Sequence, residues 1–504
     1  MTAAPAPASL TLASAPGRWA LLACVLGSGI AGIDSTVVNI ALPAIGRDLG
    51  VGFTALQWTV TGYTLTLAAF ILLGGSLGDR FGRRRVFLVG IGWFAVASLL
   101  CALAPNASAL IVARALQGLG GALMMPASLA ILQASFADQD RSRAIGAWSA
   151  LSGTASAIAP FLGGWLLAVG SWRWVFLINP PLAVLVVVLA RAHIPPSRDP
   201  DAAGRLDLLG GLLGVIGLGG VTAGVIAAGN HPFGSGPVLL PLLLGLAALA
   251  GFVAVERSQR YPMMPLALFR SRQFSATNLI TFLLYAANSG ALLLLVVELE
   301  TVSGFSALAA GTALLPITVI MLGLAARFGA LAQRIGPRAP MTIGPAVAAI
   351  GLVLLAELPE HASYLRNVLP AVAVFGLGLA IFVAPLTATV LAAVPSGHAG
   401  LASGINNAVA RAAGLLAIAA LPAIVGLTGD AYTSAEQFRS PYRTALLICA
   451  GLQLAGGLMA GLTLSGQWRR TPTEPQPVPQ ASVELSGCGY QPAGCEPAGS
   501  TIGQ

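Results

Sequence analysis

No lysine occurs in this 504-residue chain; all 26 basic residues are arginine. Charge of either sign is scarce. Asp, Glu, Lys and Arg make up 9% of the residues, where a soluble domain carries about 25%. So little charge excludes a string of soluble domains. The 56% hydrophobic content and a mean hydropathy of +0.83 point instead to helices facing lipid or one another. Catalytic equipment is also missing. No Gly-x-x-x-x-Gly-Lys-Ser/Thr loop is present to cradle a nucleotide, which counts against ATP-driven work. Of five cysteines, Cys24, Cys101 and Cys449 lie in apolar segments as small hydrophobes. Cys488 and Cys495 lie in a polar tail without histidine partners, so no metal site is expected. The four histidines, His193, His231, His361 and His398, fall at the ends of apolar stretches or in loops. Neither an enzyme nor a cofactor is indicated.

What the chain has is long apolar runs. A span takes about 20 such residues, and fourteen stretches qualify, from 19–43 to 443–465. The first is too long for a cleavable signal and contains Asp34, so it reads as a span. The net charge of +8 does not mark a nucleic-acid binder, because the arginines are sorted by loop. Over alternate loops, 19 fall on one side and 5 on the other (Arg47, Arg173, Arg366, Arg439 and Arg443), while Arg114 and Arg411 lie inside spans. Arginine-rich loops stay in the cytoplasm. An even number of spans then puts both termini there, in a multi-pass protein of the cell inner membrane.

One loop is written twice. Residues 75–85 read Gly-Ser-Leu-Gly-Asp-Arg-Phe-Gly-Arg-Arg-Arg, and Gly329-Ala-Leu-Ala-Gln-Arg-Ile-Gly-Pro-Arg338 follows 254 residues later. Gly75, Leu77, Arg80, Gly82 and Arg84 match Gly329, Leu331, Arg334, Gly336 and Arg338, while Asp79 becomes Gln333. The loop sits after the second and the tenth stretch. The expectation is an all-α polytopic membrane protein of about fourteen transmembrane helices, built as two six-helix pseudo-repeats plus an inserted helix pair. The divisions are a cytoplasmic segment 1–18, a bundle 19–193, a linker with two inserted helices 194–274, a second bundle 275–465, and a disordered cytoplasmic tail 466–504.

Charges inside spans are costly, so they are functional candidates. Asp34 is a candidate proton or cation site, because a carboxyl group taken out of water can load and release a proton near neutral pH. Arg114 keeps its charge, so it can bias a nearby carboxylate but not carry the proton itself. Asp34 is the obvious partner. Asn39, Gln117, Asn406, Asn407 and Arg411 are polar groups within spans and candidates for lining a cavity. Glu298 and Glu300 end the ninth stretch, where wet interfacial carboxylates are expected.

Residues 15 to 465 resemble the major facilitator superfamily, and most closely its fourteen-helix drug:proton antiporters. The first loop, with Gly75, Asp79, Arg80, Gly82, Arg83 and Arg84, is similar to that family's cytoplasmic latch, which breaks and reforms during alternating access. Asp34-Ser-Thr-Val-Val-Asn39-Ile-Ala-Leu-Pro43 resembles the signature of the fourteen-helix exporters. Arg114-Ala-Leu-Gln117-Gly118 resembles a motif whose arginine is implicated in proton transfer. Gly146, Pro160, Gly163 and Gly164 resemble the antiporter-motif helix, with Ala155 and Ala159 at two usual glycine positions. The Trp172 to Pro181 stretch also matches the family, and a structural role is expected for it.

The resemblance implies a secondary transporter that exports amphipathic organic compounds in exchange for protons. Its partners would be a small organic substrate, protons and the bilayer, with no nucleic acid, and a monomer is expected. A uniporter or an importer of a small metabolite is the rival within the class. A sensor or scaffold without transport is the rival outside it, and the charges inside the spans argue against that.

Overall fold

The structure is a computed structural model that describes residues 10–198, 207–259, 262–394, 399–427 and 434–465. The tail expected at 466–504 and the segment 1–9 lie outside the described residues. Among the described residues the chain is helical, with no strand and one isolated bridge between Leu10 and Phe136.

The helices run α1 (Ala15–Leu49), α2 (Phe53–Phe81), α3 (Arg83–Ala102), α4 (Ala107–Ser135) and α5 (Asp138–Val169). A short α6 (Trp174–Leu177) leads into α7 (Asn179–His193). Then come α8 (Leu208–Ala228), α9 (Gly236–Ser258) and α10 (Arg272–Thr301). A short α11 (Ala307–Ala313) leads into α12 (Leu315–Ile335). The rest are α13 (Arg338–Ala356), α14 (Leu369–Ala392), α15 (Ala399–Ile424) and α16 (Ala435–Thr463). Each expected apolar stretch is therefore helical, and among the described residues thirteen helical segments are long and apolar enough to cross a membrane. Two stretches are broken where proline enters. Pro180 and Pro181 restart the chain as α7, and Pro316 starts α12, because proline lacks the N–H an interior helical position must donate.

Local caps fix the ends. The Ser14 hydroxyl accepts from the Gly17 N–H, the Asn106 side chain from Ala109, and the Asp207 carboxylate from Gly210. The two copies of the repeated loop share one backbone device. Gly82 and Gly336 both end a helix at positive φ, 101° and 84°, which a side chain would strain. Helix α1 packs on α4, α5 and α7, and α2 on α4. In the later part α10 packs on α15 and α16, and α13 on α14 and α16. Helices α8 and α9 pack on one another, and α2 and α15 both touch α8. The α9 surface exposes Leu240, Leu243, Leu244 and Leu246, a face that suits lipid and not water.

Candidate functional site

The site grows from the contact between α2 and α4. A Cβ on Gly118 would sit 2.3 Å from the Tyr63 carbonyl oxygen, so glycine is what lets the two helices close. That approach places Arg114, one turn earlier on α4, against α2. Its Nε donates to the Thr59 carbonyl at 3.2 Å, and its guanidinium stacks 4.4 Å from the Tyr63 ring centroid. Phe176 of α6 covers it at 5.7 Å. Gln117 lies three residues on and therefore on the same helix face.

Asp34 of α1 meets this face. Its Oδ2 accepts from Arg114 Nη1 at 2.5 Å, and its Oδ1 accepts from Gln117 Nε2 at 2.8 Å and Asn179 Nδ2 at 2.9 Å. The Ser98 hydroxyl of α3 accepts from both amides, at 2.7 Å from Gln117 and 3.1 Å from Asn179. Asp34 and Arg114 are each 1% exposed. A buried carboxylate is costly unless charge and hydrogen bonds compensate it, and here three donors do so. One turn along α1 from Asp34, Gly163 of α5 packs where a Cβ would lie 2.8 Å from Val37 Cγ1.

Of the residues singled out from sequence, Asp34, Arg114 and Gln117 come together. Gln117 does not face a cavity; it is fully buried, because its amide is used up bridging Asp34, Arg114 and Ser98. Asn39 is half-buried and its Oδ1 has no partner. Asn406 donates to Asn278 Oδ1 and Thr281 Oγ1 of α10, at 3.1 and 2.8 Å, so its amide ties two helices together. Asn407 is exposed and Arg411 half-buried. Gly164 is buried and Gly146 exposed on α5, and the Pro160 side chain lies outside the described residues. Sequence reasoning missed Ser98 and gave Asn179 only a structural role. The signal for Asn179 was the Asn-Pro-Pro break, which turns that side chain inward at the start of α7.

At the repeated loop, Asp79 pairs with Arg83, with Nε to Oδ1 at 2.9 Å. Arg83 N donates to the Ser197 carbonyl and Arg84 Nη1 to the Ile194 carbonyl, so the loop binds the segment after α7. Arg80, Arg84, Arg85 and Arg198 line a cleft of about 540 Å³ there, together with Phe81, Gly82, Pro196 and Ser197.

Glu298 corrects an expectation. It is not a wet carboxylate: it is 1% exposed within an apolar cluster, beside Tyr442. Helix α16 covers the end of α10, and Glu298 Oε2 has no hydrogen-bond partner.

Long apolar helices around a buried, compensated ion pair define a polytopic membrane transporter. The chain belongs to the Major Facilitator Superfamily, whose family model matches residues 24–418. It is 36% identical over 459 residues to the puromycin resistance protein pur8 of Streptomyces alboniger, covering 89% of this chain and 90% of that protein. It is 33% identical over 425 residues to the methylenomycin A resistance protein of Bacillus subtilis, covering 84% of this chain and 90% of that protein. Among solved structures, an inward-facing, unoccupied bacterial homologue of the human lysosomal transporter Spinster superposes with a TM-score of 0.63 at 16% identity. That alignment covers 90% of this chain and 97% of that one. The family is one of transporters and not of enzymes.

Proposed function

We propose that this transporter exports amphipathic, drug- or antibiotic-like compounds across the cell inner membrane in exchange for protons, by alternating access. The relatives named for puromycin and methylenomycin A resistance support the substrate class. The observation that carries proton coupling is the Asp34–Arg114 pair, whose carboxylate joins its own helix α1 to α4 and α7 through its donors. A proton arriving on Asp34 removes the negative charge that Arg114, Gln117 and Asn179 all address. Arg114 then loses its counter-ion, and the joint between α1, α4 and α7 loosens. Loss of the proton to the other side restores it. The coupling thus works as a switch between two packings.

Helices α1–α7 act as one bundle and α10–α16 as the second, with α8 and α9 inserted between them. Asp79, Arg80, Gly82, Arg83 and Arg84, with Gly75 before them, serve as the latch. The Asp79–Arg83 pair within the loop fits an unlatched state. Arginine placement puts both termini in the cytoplasm. At the arginine-poor end Arg173, Arg439 and Arg443 are each paired with an acid, Asp48, Glu360 and Glu357, which leaves little positive charge there. The protein works as a monomer.

A sensitive host carrying this chain should tolerate more puromycin or methylenomycin A than the host alone. A protonophore should abolish the gain. Tolerance that persists after the proton gradient has collapsed would overturn the coupling.

A further inference from the structure

Arg411 stands at the middle of α15 and is that helix's only charged residue. It is half-buried. Among the described residues no hydrogen bond or ion pair holds it. A lone cation at such a depth is costly, so it faces water or a ligand that answers its charge. Helix α15 packs on both α2, which carries Tyr63, and α10, which carries Tyr285. It therefore stands where the early and late helices meet.

The surroundings supply donors and no competing acid. Tyr285 and Ser289 are four residues apart on α10 and share a face. One turn beyond Arg411, a Cβ on Gly414 would lie 2.6 Å from Ser289 Oγ, so α15 lies close against that face. Asn407 lies one turn before Arg411 and is exposed. Helices α8 and α14, which also touch α15, contain no acid. The acids of α10 are Glu298 and Glu300, about 20 Å further along the helix than Tyr285 at 1.5 Å per residue. Glu436 is the acid of α16 and sits in its first turn, and Asp79 is that of α2 and sits at its far end. Asp34 is already held by three donors. The ion pair cancels its own charge, and Arg411 leaves one positive charge unanswered at the centre of the bundle.

We propose that Arg411 receives an anionic group of the exported compound, which makes amphipathic organic anions the preferred substrate class. The inference rests on the export reading and gives it a charge. The guanidinium fork suits a carboxylate or a phenolate, and the Tyr285 and Ser289 hydroxyls add donors. Exchange of such an anion for a proton moves charge across the membrane, so the membrane potential helps to drive it.

The test compares three probes on one ring system: anthracene carboxylate, anthracene methanol and anthracene methylamine. Their affinities for the purified full-length protein in detergent are measured by calorimetry. The intact protein should favour the carboxylate. Arg411→Gln should weaken the carboxylate about ten- to hundredfold and leave the methanol unchanged, while Arg411→Lys keeps part of the preference. Unchanged methanol binding shows that the variant is folded. Equal loss for all three probes, no loss for the carboxylate, or no binding of any probe to the intact protein would overturn the proposal. Proton-linked export without a carboxylate preference would sink the anion site alone. An Arg411-dependent carboxylate preference in a protein that exports nothing would sink the export reading alone.

Discussion

Helices α1–α7 and α10–α16 treat buried polarity differently. The first set buries a full ion pair and saturates it, with Asp34 held by Arg114, Gln117 and Asn179. The second set ties helices with neutral pairs, Asn406 with Asn278 and Gln453 with Asn288, and among the described residues leaves the half-buried Arg411 and Glu298 Oε2 without a hydrogen-bond partner. The repeated loops differ in the same sense, with Asp79 in the first and Gln333 in the second. A repeated fold in which one copy carries the compensated charge is suited to a division of labour. In the proposed mechanism the first half carries the proton, and the second supplies an open cation and a neutral frame.

The sharpest way to break this comparison is to remove one member of the ion pair. Arg114→Ala leaves Asp34 buried without its cation and should cost about 3–5 kcal/mol. Thermal unfolding in detergent should show a large drop in the midpoint and poor recovery of folded protein. A normal midpoint would mean that water reaches the site and that the pair is not sequestered. Gly118→Val comes next, because a side chain there collides with the Tyr63 carbonyl. It should destabilise the protein by about 1–3 kcal/mol through overpacking and push Arg114 off Tyr63, lowering transport. Unchanged stability would refute the close approach of α2 and α4. Ser98→Ala removes an acceptor shared by two amides and should cost about 1 kcal/mol, with transport retained. A loss of transport at normal stability would give Ser98 a direct role in proton movement.

Glu298→Gln sharpens the other half. A lone carboxyl in apolar packing gains nothing from its charge, so the amide should leave the unfolding midpoint unchanged or slightly higher. A marked drop would show a partner for the Glu298 charge in another conformation. Smallest of all in stability should be Asp79→Ala, whose partner Arg83 is on the same loop. Its effect belongs to the conformational step, so turnover should fall more than substrate affinity. Normal turnover with weakened binding would remove the latch role.

Much of this was legible because membranes make some mistakes expensive. An acid or an arginine within an apolar run stands out, so Asp34 and Arg114 were visible without a structure. Helix existence was equally plain, since a run of about 20 apolar residues leaves few alternatives. Neutral polar residues carried no such mark. Ser98 is one hydroxyl in an apolar helix, and Asn179 lay in a stretch whose prolines drew attention to the break and not to the amide. Glu298 was misread for the opposite reason. Its place near a helix end suggested water, and only the packing of α16 over α10 shows that it is enclosed.

The central claim is that Asp34 carries the coupled proton. Its most direct test reconstitutes the protein in vesicles with an imposed proton gradient, using puromycin or methylenomycin A, whichever the intact chain exports. The intact protein should accumulate the compound against its own gradient. Asp34→Asn, isolated as a folded protein, should still equilibrate the compound across the membrane but fail to accumulate it. Gradient-driven accumulation by Asp34→Asn at the intact protein's level would contradict the account.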